Sequence, residues 1–283
     1  MSVDNNIFSQ NLSSKDFAKL KDFIDESCGI KLSENKRSMV EGRLRKRIRA
    51  LNLSGYSEYI DLVLSNGSNS AEQMHLIDVI TTNKTDFFRE PNHFTLMTEK
   101  ILPYLASTFE LGTRETLNVW SSASSTGEEP YTIAMVLANY FGLGGNFNVF
   151  ATDINTAVLQ AAKKDVYTEE KASDIPFDYK KKYMLRSINR ADKLVRFIPE
   201  IRSKTKFGRN NLKDEKYIVP TQVDIAFCRN VIIYFDAPTQ ESILNKICSY
   251  IKPGGFLFMG HSESVHGMKL PIRNYAPTVY IKE

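Results

Sequence analysis

One segment constrains the fold more than any other: residues 117–120 are mostly apolar, residues 121–127 are small, and an apolar-periodic helix follows. A strand that passes through such a loop into a helix is typical of cofactor binding at the carboxyl end of a parallel strand in an open α/β sheet. The loop has one glycine, no lysine and the adjacent acids Glu128 and Glu129. Dinucleotide loops need several spaced glycines and P-loops need a lysine, so a phosphate ligand is disfavoured. The two acids favour a cationic nucleoside such as S-adenosylmethionine.

A second acid follows the next strand pattern. Residues 147–152 are mostly apolar and predict the next strand, and Asp153 lies at its carboxyl end. An acid at this position can accept two hydrogen bonds from the ribose diol of an adenosine. The alternative is that Asp153 caps the helix that begins near Thr156, since Asp is a common N-cap residue. The preceding small-residue loop favours the ribose role.

Composition describes an ordinary globular protein, with 42% hydrophobic and 25% charged residues among 283. No apolar run approaches the roughly 20 residues of a membrane span, and residues 1–6 lack a signal-peptide pattern. Three cysteines lie far apart and four histidines show no metal-ligand spacing beside an acid. We therefore expect a reduced, cytoplasmic protein without a metal and without membrane insertion.

The chain divides into two regions by pattern. Residues 1–75 carry successive helix patterns and predict a small all-helical domain, in which Ser14 caps the first helix. Residues 76–283 alternate strand and helix patterns and predict a Rossmann-like α/β domain. The predicted helices cover residues 14–28, 35–51, 55–63, 71–80, 96–105, 156–164 and 236–251, and the further predicted strands cover residues 223–228 and 256–259.

Residues 165–205 interrupt that alternation and predict a small β insertion, placed at about residues 180–210. Within it, residues 194–198 and 205–208 predict a hairpin. Residues 278–281 predict a last antiparallel strand at the edge of the main sheet. The fold class is thus α/β with a small β insertion, preceded by a helical domain.

A basic helix is predicted over residues 35–51. Between Lys31 and Ala50 there are eight basic residues and two acids. A charge run is most often a solvated face, but an acidic helical partner also explains this one, because opposite charge steers encounter. RNA fits on charge alone, although the run lacks interleaved aromatic residues for base stacking. The candidate docking residues are Arg43, Arg45, Lys46, Arg47 and Arg49.

Three further loops make the chain recognisable. They are TTNKTDFFRE at residues 81–90, CRNVIIYF at residues 228–235 and GHSE at residues 260–263, and they join GEEPY at residues 127–131. With these motifs in this order, nearly the whole chain resembles the CheR family of chemotaxis receptor methyltransferases. The resemblance implies a cytoplasmic enzyme that transfers a methyl group from S-adenosylmethionine to glutamate side chains on the cytoplasmic helical domain of chemoreceptors, leaving S-adenosylhomocysteine. The expected domains are then a substrate-docking domain (residues 1–75) and a methyltransferase domain (residues 76–283).

The resemblance also implies roles for particular residues. Arg89, Arg229 and Tyr234 are the candidate catalytic residues. Arg229 could instead pair with a carboxylate, and Tyr234 could be a core residue, whereas Phe87 and Phe88 are expected to pack. The candidate cofactor-binding residues are Asn83, Thr85, Arg89, Glu129 (with its neighbour Glu128 as an alternative), Asp153, Asn211, Leu212, Arg229 and Asn230.

One segment departs from the family pattern. Some members grip a C-terminal receptor peptide with a glycine-rich loop of the insertion, but residues 186–193 contain no glycine here. We therefore do not expect that tether, although docking of the receptor through the insertion stays open. We also expect a monomer that binds no nucleic acid. Two other functions stay open: a methyltransferase for RNA or a small molecule, and a non-catalytic cofactor sensor or scaffold.

Overall fold

The computed structural model describes residues 11–65, 71–220 and 222–283. The chain forms two compact units: a helical unit, which extends to Thr82 and includes Tyr234–Asp236, and a sheet unit, which comprises Asn83–Ile233 and Ala237–Glu283. The division therefore falls after Thr82 and not after residue 75, because the last helix of the first unit crosses that position. Residues 1–6, which lack a signal-peptide pattern, lie outside the described residues.

The helical unit contains helices α1 (Ser14–Cys28), α2 (Arg37–Ala50), α3 (Tyr56–Ser65) and α4 (Ala71–Ile80), as their patterns predict. Ser13, not Ser14, caps α1, since its side chain accepts a hydrogen bond from the Asp16 backbone N–H. The apolar stripe of each helix faces a shared core. That core includes the buried residues Phe17, Leu20, Ile24, Val40, Leu44, Ile48, Tyr59, Ile60 and Leu76.

The sheet unit alternates strands and helices. A helix spans α5 (Asn92–Leu96), a π-helical turn (Met97–Ile101) and α6 (Leu102–Phe109) before the first strand. The remaining elements, in chain order, are β1 (Leu117–Ser121), α7 (Glu128–Phe141), β2 (Phe147–Asp153), α8 (Thr156–Lys164), β3 (Val166–Thr168), α9 (Phe177–Tyr183), β4 (Met184–Arg186), β5 (Leu194–Phe197), α10 (Pro199–Lys204), β6 (Thr205–Arg209), β7 (Val223–Cys228), α11 (Ala237–Ser249), β8 (Ile251–Met259), β9 (Ile272–Ala276) and β10 (Val279–Lys282).

The main sheet has seven strands in the order β6-β2-β1-β7-β8-β10-β9. Strand β1 lies parallel to β2 on one side and to β7 on the other, with Val119 opposite Val149 and Ile225. Since the chain builds outward from β1 in both directions, the carboxyl end of β1 is the topological switch point where ligands bind in such sheets. The sheet therefore places the small-residue loop where the sequence predicts a cofactor.

The predicted hairpin in the insertion is wrong. Strand β5 pairs with β3 and β4 in a separate three-stranded sheet, whereas β6 pairs in parallel with β2 at the edge of the main sheet. Helix α10 separates β5 from β6, because Pro199 occupies a first-turn position that favours a helix start over a hairpin turn. The small sheet begins at Val166, earlier than the predicted insertion over residues 180–210.

The last strand is antiparallel, as predicted, but it is not at the edge. Strand β10 pairs with β8 on one side and with β9 on the other, so β9 forms that edge. Residues 272–276 have mostly exposed or half-buried side chains, which left no apolar alternation to predict a strand. Among the described residues, none of the helices combines the length and apolar character needed to cross a membrane.

Candidate active site

The loop after β1 approaches helix α8 very closely at one glycine. Gly127 has φ 99°, and a Cβ atom there would lie 2.8 Å from the Tyr167 hydroxyl and 3.0 Å from Ala162 Cβ. Only glycine satisfies both the left-handed backbone and the close approach. The Ser125 hydroxyl donates to the Asn83 carbonyl (2.8 Å), which joins this loop to the segment that begins the sheet unit.

Asp153, at the end of β2, shapes the same loop. Its Oδ2 atom accepts from the Ser125 backbone N–H (2.8 Å), and its Oδ1 atom accepts from the Asn155 N–H (2.9 Å). Asn155 is the N-cap of α8, since its side chain accepts from the Val158 N–H. The capping alternative for Asp153 is therefore wrong. The carboxylate is 8% exposed, beside a loop of backbone amides at the carboxyl end of β1.

Three charged side chains form a buried cluster at the ends of β1 and β7. Arg229 directly follows β7, and its Nη1 atom lies 3.0 Å from Glu129 Oε2, while its Nη2 atom lies 3.0 Å from Glu90 Oε2. Its side chain is 2% exposed. The Ser121 hydroxyl donates to the other oxygen of Glu129 (2.7 Å). We call Glu90, Glu129 and Arg229 the strand-end cluster.

The strand-end cluster also fixes the loop of residues 83–90. Arg229 Nη2 donates to the backbone carbonyl of Arg89 (2.6 Å). Burial raises the pKa of Glu90, but the Arg229 guanidinium more than offsets this effect, so the pKa lies below its ordinary value. The ion pair therefore stays charged at neutral pH and holds the end of this loop against β7.

The Arg89 side chain is placed differently from that of Arg229. It is half-buried, and its Nη1 atom donates to the Lys84 carbonyl (3.1 Å). A guanidinium carries five N–H donors, so most of its donors remain available to a ligand. Phe87 packs against Tyr167 and Phe197, as predicted for a packing residue. The Thr85 carbonyl accepts from the Lys171 ammonium.

One acid of the first loop has a structural environment. Glu128 is buried, accepts from the Thr126 hydroxyl (2.6 Å) and lies 3.6 Å from the Lys171 ammonium. Burial raises its pKa. Of the two adjacent acids, Glu129 belongs to the strand-end cluster, and Glu128 contacts Thr126 and Lys171.

Glu263 organises the loop after β7, a role that could not be predicted from its motif. Its two carboxylate oxygens accept four backbone N–H bonds at 2.7–2.9 Å. Such bonds stabilise a buried carboxylate. The donors belong to Asn230, Val231, Ile232 and Gly260. Asn230 adopts a left-handed backbone (φ 57°), and its side-chain amide approaches Glu90 Oε1 (3.4 Å).

Asn211 and Leu212 lie beyond β6. Leu212 is buried, and its carbonyl accepts from the Tyr217 hydroxyl (2.7 Å). The Asn211 side chain accepts from the Lys213 N–H (3.0 Å) in a tight turn. Their cofactor contacts stay predictions.

Tyr234 is grouped with the helical unit. Its carbonyl accepts from the Lys31 backbone N–H (2.9 Å), and the Lys36 ammonium lies 5.4 Å from the centre of its ring. Asp236, two residues later, pairs with the Lys31 side chain (3.2 Å). The catalytic role of Tyr234 stays a prediction.

The basic helix α2 uses part of its charge internally. Arg43 Nη1 donates to the carbonyls of Val79, Ile80 and Thr81 at the end of α4. Arg47 forms a two-pronged ion pair with Glu72. Lys46 is exposed, whereas Arg45 and Arg49 are half-buried. The candidate docking residues therefore do not share one solvated face.

The side chains at the switch point fit a cationic nucleoside cofactor. Asp153 and Glu129 offer oxygen acceptors, which suit hydroxyl and amino groups and attract a positive charge. Gly127 has no side chain, and any side chain at this turn would collide with the Tyr167 hydroxyl. The residues present therefore match the cofactor expected from the sequence.

Comparisons with known proteins agree with this geometry. The family model described as CheR methyltransferase, SAM binding domain, matches residues 83–281, and the model of the CheR methyltransferase all-alpha domain matches residues 15–81. The chain is 39% identical over 270 residues to a chemotaxis protein methyltransferase of Escherichia coli (strain K12), which covers 95% of this chain and 91% of that relative.

Two further relatives extend the range of organisms. A chemotaxis protein methyltransferase of Borreliella burgdorferi is 37% identical over 263 residues, or 92% of this chain and 91% of the relative. Chemotaxis protein methyltransferase 2 of Pseudomonas aeruginosa is 35% identical over 268 residues, or 94% of this chain and 92% of the relative.

Proposed function

The chain belongs to the CheR methyltransferase family of S-adenosylmethionine-dependent enzymes, and from this premise we propose how its own residues methylate glutamate side chains of a chemoreceptor. The observation that carries the proposal is the grouping of Asp153, Glu129 and the loop of residues 83–90 around the carboxyl end of β1. Methylation of chemoreceptors is the role of this family.

The cofactor, S-adenosylmethionine, supplies a sulfonium methyl group when it is bound. We propose that Asp153 accepts hydrogen bonds from its ribose, because the carboxylate stands at the end of β2 beside the amides of the small-residue loop. Glu129 would then add negative charge near the sulfonium. The contacts of Asn83, Thr85, Asn211, Leu212 and Asn230 stay predictions from the family.

The substrate carboxylate needs no general base. A glutamate side chain with a pKa near about 4.3 is already ionised at neutral pH, and methyl transfer from a sulfonium is an in-line displacement. Residues of this chain then contribute mainly by orienting the two reactants and excluding water. We propose that Arg89 does this through the non-attacking oxygen of the substrate or through the cofactor carboxylate, since only its contact with Lys84 restrains its guanidinium among the described residues.

We propose a different role for Arg229. Its guanidinium is committed to Glu129, to Glu90 and to the Arg89 carbonyl, so it is a positioning residue that holds the loop bearing Arg89. This proposal replaces direct contact with the reacting atoms as its main function. Its contact with the cofactor stays a prediction.

We propose that the acidic cytoplasmic helices of a chemoreceptor dock on basic residues of the helical unit. Lys46 supports this idea best, because it is exposed on a helix rich in positive charge. Arg43 and Arg47 would act indirectly by holding α4 against α2. Opposite charge then raises the encounter rate more than the final affinity.

The test is transfer of labelled methyl groups from S-adenosylmethionine to cytoplasmic fragments of chemoreceptors. We expect label that is released by mild alkali, as methyl esters are, and its loss in Asp153→Ala. Calorimetry with S-adenosylhomocysteine measures cofactor binding separately. Binding without transfer to any fragment would favour a cofactor sensor, and alkali-stable label would favour a different acceptor such as RNA or an amine.

A further inference from the structure

Two histidines lie beside Glu90 of the strand-end cluster. His93 lies in α5 and is 2% exposed. His261 follows β8, and its side chain is 53% exposed. The ligand atoms of Glu90, His93 and His261 all lie within 4.8 Å of one another. We call these three residues the histidine cluster.

The hydrogen bonds of Thr278 favour one tautomer of His93. His93 Nε2 lies 2.8 Å from Thr278 Oγ1. The Thr278 hydroxyl donates its own hydrogen to the Pro277 carbonyl (2.8 Å), so it accepts from His93 Nε2–H. The Nδ1 atom is then an acceptor with a free lone pair. Among the described residues, this buried atom has no hydrogen-bond partner.

A second acceptor lies close to His93 Nδ1. His93 Nδ1 lies 3.5 Å from Glu90 Oε2. The other oxygen of Glu90 is approached by the His261 N–H and the Asn230 amide, which leaves Oε2 directed at the two histidines and at Arg229. Two facing acceptors repel unless a cation lies between them. The side chains are thus arranged around a place for positive charge.

The spacing of the three ligand atoms identifies the class of cation. His261 Nε2 lies 3.8 Å from the same Glu90 oxygen. A tetrahedral Zn²⁺ site with bonds of about 2.0–2.1 Å has neighbouring ligand atoms about 3.3–3.4 Å apart. We propose that the histidine cluster binds a transition-metal cation of the Zn²⁺ type through two imidazoles and one carboxylate. The Thr278 hydroxyl supplies the outer hydrogen bond that fixes the ring of a metal-binding histidine.

Occupation of this site opposes methyl transfer. The carboxylate oxygen that faces the two histidines also lies 3.0 Å from Arg229 Nη2, which holds the Arg89 carbonyl. A divalent cation on that oxygen repels the guanidinium and competes for its partner. The exposed His261 side chain lets the ion enter from solvent without unfolding the site. The cluster is therefore an inhibitory metal site that acts through Arg229.

The experiment titrates the metal-free full chain with ZnCl₂ by calorimetry, without cofactor or substrate. We expect one Zn²⁺ per chain in the wild type and no comparable heat with MgCl₂, since Mg²⁺ prefers oxygen ligands. His261→Ala should weaken binding at least about tenfold. The matched control is His266→Ala, which removes another exposed histidine nearby and should leave the affinity unchanged.

Co²⁺ spectra and activity complete the test. The spectrum of the Co²⁺ complex should lack thiolate charge-transfer bands, because the site has no cysteine. Zn²⁺ should inhibit methyl transfer by the wild type and His266→Ala at concentrations that spare His261→Ala. Equal Zn²⁺ affinity in His261→Ala, thiolate bands, or no Zn²⁺ binding by the wild type would each overturn the proposal, whatever the outcome of the methylation assay.

Discussion

The basic helix α2 and the strand-end cluster are both rich in charge, but they use it in opposite ways. In the strand-end cluster one buried guanidinium is matched by two carboxylates from distant parts of the chain. On α2 only some of the positive charges have partners. Arg47 pairs with Glu72 and Arg43 donates to three backbone carbonyls, while Lys46 is exposed.

The comparison of α2 with the strand-end cluster shows that the role of a charged residue depends on its partner in space and not on its neighbours in sequence. Breaking a buried ion pair leaves an uncompensated charge in the interior and lowers the free energy of unfolding strongly. An exposed charge contributes little to stability but can steer a partner. Substitutions in the two regions should therefore separate stability from docking.

The largest effect is expected at Arg229. Arg229→Met leaves Glu90 and Glu129 buried without their cation, so the free energy of unfolding should fall by about 3–5 kcal/mol. Urea unfolding measures it. The control is Arg114→Ala, which breaks an exposed pair with Glu110 and should cost less than about 1 kcal/mol. Similar losses in both variants would contradict the buried role of Arg229.

Arg89 should show the reverse behaviour. Arg89→Ala should lower the rate of methyl transfer about 100-fold or more, because reactants lose their orientation. Its free energy of unfolding should change by about 1 kcal/mol or less. Comparison with the exposed neighbour in Lys84→Ala controls for local charge. Unchanged cofactor affinity would assign Arg89 to the substrate carboxylate, and lost affinity would assign it to the cofactor.

Within α2, Arg47 should behave as a structural residue. Arg47→Met removes the two-pronged pair with Glu72, and the partial exposure of the pair reduces the expected loss to about 1–2 kcal/mol. Thermal or urea unfolding detects this change. A variant as stable as the wild type would place Arg47 among the docking residues instead.

The same pair predicts a pH dependence. The hydrogen bond from Arg47 lowers the pKa of Glu72 below its ordinary value of 4.5. A depressed carboxyl pKa contributes stability above the unfolded-state pKa and loses it as the pH falls through the folded-state pKa. The stability difference between wild type and Glu72→Gln should therefore shrink as pH falls from 6 toward 3. A difference that is constant with pH would contradict the ion pair.

The smallest effect on stability is expected at Lys46. Lys46→Glu should change the free energy of unfolding by about 0.5 kcal/mol or less. It should raise KM for a receptor fragment by about two- to fivefold at low salt, with less effect at high salt. A KM that is unaffected at low salt would remove Lys46 from the docking surface.

Most of the fold could be predicted because its pattern is local. Strands β1, β2 and β7 and helices α1, α4 and α8 lie where apolar periodicity placed them. Two predictions of strands failed. Strand β5 pairs within a separate three-stranded sheet, and the exposed strand β9 has no alternation of apolar and polar residues. Sequence spacing cannot show which strands meet across an insertion.

The same limit applies to the site. The loops that meet around β1 could be predicted, since carboxyl ends of parallel strands share one edge. Three features could not be predicted, because each joins residues that are distant in sequence. They are the partners of Arg229, the four N–H bonds to Glu263 and the approach of His261 to His93. Glu263 had one available signal, its place in the motif at residues 260–263.

We infer that the site at the carboxyl end of β1 esterifies glutamate side chains of a chemoreceptor. Mass spectrometry of receptor fragments after incubation with S-adenosylmethionine tests it most directly, because it locates each methyl group on a residue. We predict methyl groups on glutamates that disappear in mild alkali and do not form with Asp153→Ala. Methyl groups on lysine or arginine, or equal methylation by Asp153→Ala, would contradict it.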